Sequence, residues 1–393
     1  MNKPKILFVG GTWNEEYCRP EDYPSGYSGV FDISEDSIDK SFDALKLNHT
    51  YGRSSGLATK IIKELIPYSS YLYFANGGKY SDLESILGRA ANFDIVFWWA
   101  NVDNSLPKVR DVKEYAPHVM LVTSKRNDNN KYNFSELINR ALGAKANLCV
   151  EFSKQLDGKF NMMVFDPLGN TWYTGNNISD CVYYMIDRLV FLKTITRQGC
   201  MQVPGFTEVP NDENFFELIK ENAEIFHKLI NPAPGVTRFL GNSSFRCQRG
   251  FPSFRSNKII YVSKRNVDKR YIGRDAFVPT YLENDKLYYQ GENKPSVDTP
   301  IQTRLYEALP NIHYMMHAHV YIENAPFTKN MIPCGGLEEV NEVLNAIKEH
   351  YDSLDKDFYS INLIGHGSIV MGSTVDKIKD VSYIGRVLPE KLN

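Results

Sequence analysis

Three histidines carry the strongest chemical signal in this chain. His317 and His319 stand two apart in Tyr314-Met315-Met316-His317-Ala318-His319-Val320, an apolar run that reads as a strand. Strand residues two apart point to the same face, so both imidazoles are predicted to converge on one ion. Imidazole nitrogen suits zinc and similar divalent metals, and a catalytic site typically keeps three protein ligands and an open position. His366 is the candidate third ligand. It lies in Leu363-Ile364-Gly365-His366-Gly367, at a strand end where flanking glycines let the backbone turn closely. The plain alternative is an accidental HxH pair whose rings are ordinary core or surface side chains. Three of only eight histidines fit one arrangement, whereas His49, His118, His227, His313 and His350 fit none.

The elements that must position these residues fall into two halves, 1–205 and 206–393, as a chain of 393 residues leads one to expect. In the first half, apolar runs at Ile6–Val9, Tyr71–Ala75, Ile95–Trp99, Val119–Thr123 and Asn147–Phe152 read as buried strands. Helical periods at Leu57–Ile66, Asp82–Ala91, Val109–Tyr115 and Phe134–Leu142 fall between most of them. That alternation predicts a Rossmann-like parallel sheet covered on both faces. A hairpin at 166–170 and a long helix, Ile178–Thr196, close the unit, and Gln198–Asp212 reads as a linker from its glycine and prolines. The second half opens with an amphipathic helix, Glu213–Ile230. Strands follow at Lys258–Val262, Leu287–Tyr289, Tyr314–Val320 and Ile361–Ile364, with a helix at Glu338–Tyr351. This mixed pattern predicts an α+β or three-layer domain.

Around the histidines stand further motifs: Lys294-Pro295-Ser296-Val297-Asp298-Thr299-Pro300, then Leu305-Tyr306-Glu307-Ala308-Leu309-Pro310, then His317-Ala318-His319. Upstream lies Gly241-Asn242-Ser243-Ser244-Phe245-Arg246, and downstream His366-Gly367 with Val370-Met371-Gly372. In type and order the set resembles the class II aldolase/adducin family. That family shows a Pro-Ser-Ser-acid-Thr-Pro run, a His-Thr-His strand, a Gly-Asn-x-Ser-x-Arg loop and a His-Gly segment. The resemblance implies a class II aldolase-like α/β/α domain over 206–393. It also implies a divalent metal, Zn2+ first and Mn2+ as the alternative, held by His317, His319 and His366.

The activity so implied is that of a metal-dependent aldolase or epimerase, a lyase or isomerase, acting on a phosphorylated sugar through an enediolate. Aldolases of the family mostly carry Glu at the acidic position, whereas L-ribulose-5-phosphate 4-epimerases carry Asp; Asp298 is therefore epimerase-like, as a fourth ligand or a base. A helix N-cap before Thr299-Pro300 is its structural reading. The family's phosphate site maps onto Asn242, Ser263 and Ser296. Its second serine is Val297 here, and its Ser-Gly turn falls at Ser263-Lys264-Arg265-Asn266, which adds two cations. Lys264 and Arg265 point toward a more highly charged ligand such as a nucleotide sugar, or simply face solvent. Gln302 replaces a common family histidine. Tyr383 is the candidate tyrosine acid, and a cyclic homotetramer is the implied assembly. Competing readings are a non-catalytic adducin-like assembly module and a bifunctional nucleotide-sugar pathway enzyme.

The first half carries no comparable motif. Val9-Gly10-Gly11-Thr12 follows the first strand, where α/β sheets bind ligands, yet no GxGxxG or P-loop pattern is present. Arg53-Ser54-Ser55-Gly56 leads into a helix and Ser124-Lys125-Arg126-Asn127 ends a strand, so both are candidate anion contacts as well as ordinary caps. Composition narrows the partners. A net charge of −2 gives no electrostatic case for nucleic acid or an anionic membrane, and no apolar run reaches bilayer length. The N-terminus lacks a signal-peptide pattern, and six scattered cysteines without CxxC spacing predict reduced thiols and a cytoplasmic setting. Cys334 lies in a Pro-Cys-Gly-Gly turn that allows exposure, which by itself gives little ground for a catalytic role.

Overall fold

Along the first strand, β1 (Lys5–Asn14), Ile6 and Phe8 face one side of a sheet and Leu7 and Val9 the other, all fully buried. Burial on both faces is the signature of a parallel sheet sandwiched between helices. The structure is a computed structural model; it describes residues 3–14, 29–33, 55–102, 109–205, 207–232, 241–246 and 259–386. The chain divides into two compact units, Met1–Lys193 and Thr194–Asn393.

In the first unit the further strands are β2 (Gly29–Ile33), β3 (Tyr71–Lys79), β4 (Ile95–Trp98), β5 (Asn101–Val102), β6 (Met120–Arg126), β7 (Leu148–Lys154), β8 (Phe160–Phe165) and β9 (Thr171–Gly175). Among the described residues they form one sheet in the order β2-β3-β1-β4-β6-β7-β8-β9, with β5 beside β1. The centre, β3 to β7, is parallel, β2 and β8 run antiparallel to it, and β9 pairs antiparallel with β8. Helices α1 (Ser55–Leu65) and α5 (Ile178–Thr194) pack Leu57, Ile61, Met185 and Leu189 on the Ile6/Phe8 face. Helices α2 (Tyr80–Gly88) and α3 (Val112–Tyr115) pack Leu83, Leu87 and Val112 on the Leu7/Val9 face. A fourth helix, α4 (Phe134–Gly143), starts with a reciprocal capping box between Asn133 and Glu136. This is the expected Rossmann-like α/β architecture.

The second unit's sheet is largely antiparallel. It contains β10 (Cys200–Val203), β11 (Asn242–Arg246), β12 (Ile260–Ser263), β13 (Phe277–Glu283), β14 (Lys286–Gln290), β15 (Tyr314–Ala318), β17 (Phe358–Leu363) and β18 (Gly367–Gly372), while β16 (Tyr321–Ile322) pairs with β19 (Tyr383–Ile384). The order is β10-β14-β13-β12-β11-β15-β18-β17. Neighbouring methionines on β15 show the two covered faces. Met315 packs with Leu305 of α7 (Thr299–Ala308) and Val343 and Ile347 of α8 (Glu338–His350). Met316 packs with Phe215, Phe216 and Ile219 of α6 (Glu213–Ile230) and with Ile378 of α9 (Val375–Lys379). The result is an α/β/α sandwich. The stretch that reads as a linker includes β10, which pairs in parallel with β14 and so belongs to this sheet. No described helix is long and apolar enough to cross a membrane.

Candidate metal centre

Strand β15 lies between β11 and β18, and its last pairings are His317 with Asn242 and Ala318 with Ser368. The ladder runs out there, so the strand ends at Ala318 and His319 sits in the bend that follows, not on a strand reaching Val320. The two rings still meet, with centroids 5.1 Å apart. His366 occupies the short turn between β17 and β18, its ring 4.6 Å from that of His317 and 5.0 Å from that of His319. One nitrogen from each ring lies within 4.8 Å of the others, and all three residues are buried. Glycines make this approach feasible. At Gly241, with φ +96°, a Cβ would stand 2.5 Å from the His317 carbonyl oxygen, and at Gly367 one would stand 2.0 Å from the Ala318 oxygen.

A hydrogen bond decides which nitrogen of His317 is free. His317 Nδ1 lies 2.9 Å from the Ser368 carbonyl oxygen, which only accepts, so Nδ1 carries the proton and Nε2 keeps its lone pair. Nε2 of His317 and Nδ1 of His319 are buried without a hydrogen-bond partner. Buried polar atoms in folded proteins are nearly always satisfied, and a divalent ion between the three rings would satisfy those that face it. Burial, with His366 adding to it, pulls His317 down to about 4; burial, then His366 and His317, holds His319 well below its ordinary range. Both rings are therefore neutral near pH 7, the form that ligates metal. His366 is built differently. Its Nδ1 is 2.6 Å from Glu339 Oε1 and its Nε2 is 3.0 Å from Cys334 Sγ. Burial opposes protonation of this ring, but Cys334 and Glu339 outweigh it and raise its basicity well above normal. A carboxylate on the remote nitrogen of a ligating histidine fixes the ring and strengthens it as a donor.

Asp298, at the start of α7 and 7% exposed, accepts from Asn242 Nδ2 at 2.8 Å and from the Gly335 amide at 2.9 Å. It lies outside the cluster formed by the three ligand nitrogens. Its side chain caps no amide of α7. Asn242 in turn accepts from Gln302 Nε2, so the residue replacing a family histidine props the asparagine. Ser296 donates its amide to Ser263 O at 3.1 Å, and Ser263 Oγ receives the Ser243 amide at 3.2 Å. Asn242, Ser263, Ser296 and Asp298 are thus buried together. The two expected cations are not with them. Lys264 lines a cavity of about 410 Å³ shared with Arg274, Phe277, Gln290 and Glu292, and Arg265 is exposed. Tyr383 packs edge-on against Phe226 at 4.7 Å; its hydroxyl is buried without a partner, and burial drives its pKa far up.

The burial of two charged groups escaped sequence reasoning. Glu339 reads as an ordinary acid in the first turn of a helix. Lys269 reads as one charge in Asp268-Lys269-Arg270, yet it is buried. In the first unit, Val9–Thr12, read as following the first strand, lie inside β1, which runs on to Asn14, whereas Ser124–Arg126 end β6. Asn127 spends its amide on the Tyr132 backbone, at 3.0 and 2.8 Å. Ser55 opens α1, whereas Arg53 and Ser54 fall outside the described residues.

Residues 221–384 match the family model described as the Class II Aldolase and Adducin N-terminal domain. That stretch, less than half of the chain, is similar to the class II aldolase and adducin family's domain. Among solved structures it is similar to a sugar-phosphate aldolase from Thermotoga maritima (14% identity, 42% of this chain and 89% of that one, TM-score 0.30). It is also similar to an L-fuculose 1-phosphate aldolase (14% identity, 42% and 82%, TM-score 0.28). A third is the DNA/pantothenate metabolism flavoprotein from Streptococcus pneumoniae (11% identity, 48% and 99%, TM-score 0.32). No curated protein matches the chain.

Proposed function

We propose that the second unit is a metal-dependent enzyme that breaks or remakes a carbon–carbon bond in a phosphorylated sugar, as an aldolase or an epimerase. The observation that carries this reading is the buried convergence of His317, His319 and His366, each offering one ring nitrogen within 4.8 Å of the others. His317, His319 and His366 would hold a divalent ion, Zn2+ or Mn2+. When bound, the ion supplies Lewis-acid polarisation of a carbonyl and its neighbouring hydroxyl.

The chain's own groups do the rest. Glu339 orients His366, and the Ser368 carbonyl fixes the tautomer of His317. Asp298, outside the ligand cluster and steadied by Asn242 and the Gly335 amide, is assigned the base that takes the substrate hydroxyl proton. Asn242 and Ser296 lie beside it and are assigned to the substrate, and the family's assembly is the basis for expecting a homotetramer. Substitution of His317 by Ala is expected to remove bound metal and turnover together while the far-ultraviolet circular dichroism stays unchanged. Metal content by mass spectrometry reads the first effect. A native protein without a stoichiometric divalent ion would favour a non-catalytic adducin-like module instead.

A further inference from the structure

Cys334 stands in the turn Pro333-Cys334-Gly335-Gly336, just ahead of α8. Two backbone hydrogen bonds hold that turn in place. The Gly336 amide donates to the Pro333 carbonyl at 3.0 Å, and the Gly335 amide donates to Asp298 Oδ1 at 2.9 Å. The turn is thus tied to the centre's own carboxylate, and it brings a half-buried sulfur against His366.

His366 has two ring nitrogens, and only one is left for an ion. Nδ1 is engaged by Glu339 at 2.6 Å, and Cys334 Sγ lies 3.0 Å from Nε2. The hydrogen-bonding partner of an imidazole nitrogen sits in front of that nitrogen, in the plane where its lone pair points. A metal ion bound to Nε2 would sit there too. Zinc–nitrogen and zinc–sulfur bonds are about 2.1 and 2.3 Å long, so such an ion meets a sulfur only 3.0 Å from the same nitrogen.

The sulfur stands at the rim of the cluster. Among the described residues, only the three histidines have ligand atoms that all lie within 4.8 Å of one another, and Cys334 approaches from the His366 side. Across from it, His317 Nε2 is buried without a hydrogen-bond partner, in a ring whose centroid is 4.6 Å from that of His366. Asp298 has the weaker claim to the remaining position. Its Oδ2 accepts from Asn242 at 2.8 Å and its Oδ1 from the Gly335 amide, so both oxygens are already engaged.

We propose that Cys334 is the fourth protein ligand of the metal, giving the resting centre three imidazoles and one thiolate. The inference rests on the reading of that centre as a metal site and adds a ligand to it. On coordination the S–H bond gives way to a sulfur–metal bond, and the proton leaves to solvent. A thiolate favours zinc over manganese, which decides between the two ions named above. The plain competitor is a thiol that only steadies His366 and is pushed aside when the ion arrives.

Cobalt, which takes the place of zinc and reports its ligands by absorption, tests this on the full chain. Native protein loaded with Co2+ is expected to show sulfur-to-cobalt charge-transfer absorption in the near ultraviolet. Cys334→Ser and Cys334→Ala are expected to lose that band while still binding cobalt. Both are expected to hold zinc about tenfold or more weakly, with manganese affinity little changed. In the native protein, zinc is expected to suppress alkylation of Cys334 by iodoacetamide, located by peptide mass spectrometry, a measurement that needs no variant to fold. Stoichiometric cobalt without the band, a band that survives in folded Cys334→Ala, or alkylation unaffected by bound zinc would each overturn the inference and leave the three-histidine centre standing. A native chain that binds neither cobalt nor zinc would sink the centre itself, and the fourth ligand with it.

Discussion

Glu339 shows how much of a metal site is carried by a residue that would touch no metal. Its Oε1 lies 2.6 Å from His366 Nδ1, and it is buried with that ring. The pairing leaves His366 Nε2, which also contacts Cys334 Sγ at 3.0 Å, as the nitrogen not engaged by the carboxylate and makes it a stronger donor. Glu339→Gln keeps the shape but removes the charge, so metal affinity is expected to fall by about 10- to 100-fold with the fold intact. Competition with a chromophoric chelator measures this; unchanged affinity would mean that the carboxylate is only a packing group. Cys334, 3.0 Å from the same ring, shares the pocket and explains why a turn cysteine is half-buried.

The strands place these side chains through their ends, not their middles. His317 is on the penultimate residue of β15, His319 lies one residue beyond it, and His366 is in the turn that opens β18. Backbone contact at those ends must be close, and Gly241 is where a side chain would intrude most directly on His317. Its φ of +96° disfavours any L residue, and an added Cβ would meet the His317 carbonyl at 2.5 Å. Gly241→Ala is expected to lower stability by about 1–3 kcal/mol and to weaken metal binding at the same time. Urea unfolding with and without metal distinguishes this from a remote loop effect, which would move stability alone.

Across the chain, every residue assigned to the centre belongs to Thr194–Asn393. The lower boundary matters. The Thr196 amide donates to Glu338 Oε1 at 2.9 Å, a Cβ on Gly336 would meet Ile195 Cγ2 at 2.8 Å, and β10 extends the sheet. A fragment of residues 194–393 is therefore expected to fold cooperatively and to gain several degrees of melting temperature on adding Zn2+, by mass action on the folded state. A fragment beginning at residue 206 lacks those contacts and is expected to melt lower. Scanning calorimetry of both decides it; equal melting would show that the linker reading of Gln198–Asp212 describes its energetics better than the strand does.

Much of this was legible in the linear chain because it depends on local periodicity. Ile6–Val9 and Ile95–Trp99 announce buried strands by unbroken apolar runs, and the spacing of His317 and His319 announces that their rings meet, although His319 falls in the bend just past the strand. Glycines beside His366 marked its turn. What composition and spacing left open depends on long-range pairing. Lys269 looks like a solvated charge until folding buries it, and Glu339 looks like a favourable helix-start acid until α8 docks against the β17–β18 turn. Asp298 became a supported carboxylate only when Asn242, 56 residues earlier, and Gly335, 37 residues later, closed around it. Side-chain type and period are properties of neighbours along the chain. Charge, protonation and vacancy are properties of neighbours in space, which folding alone creates.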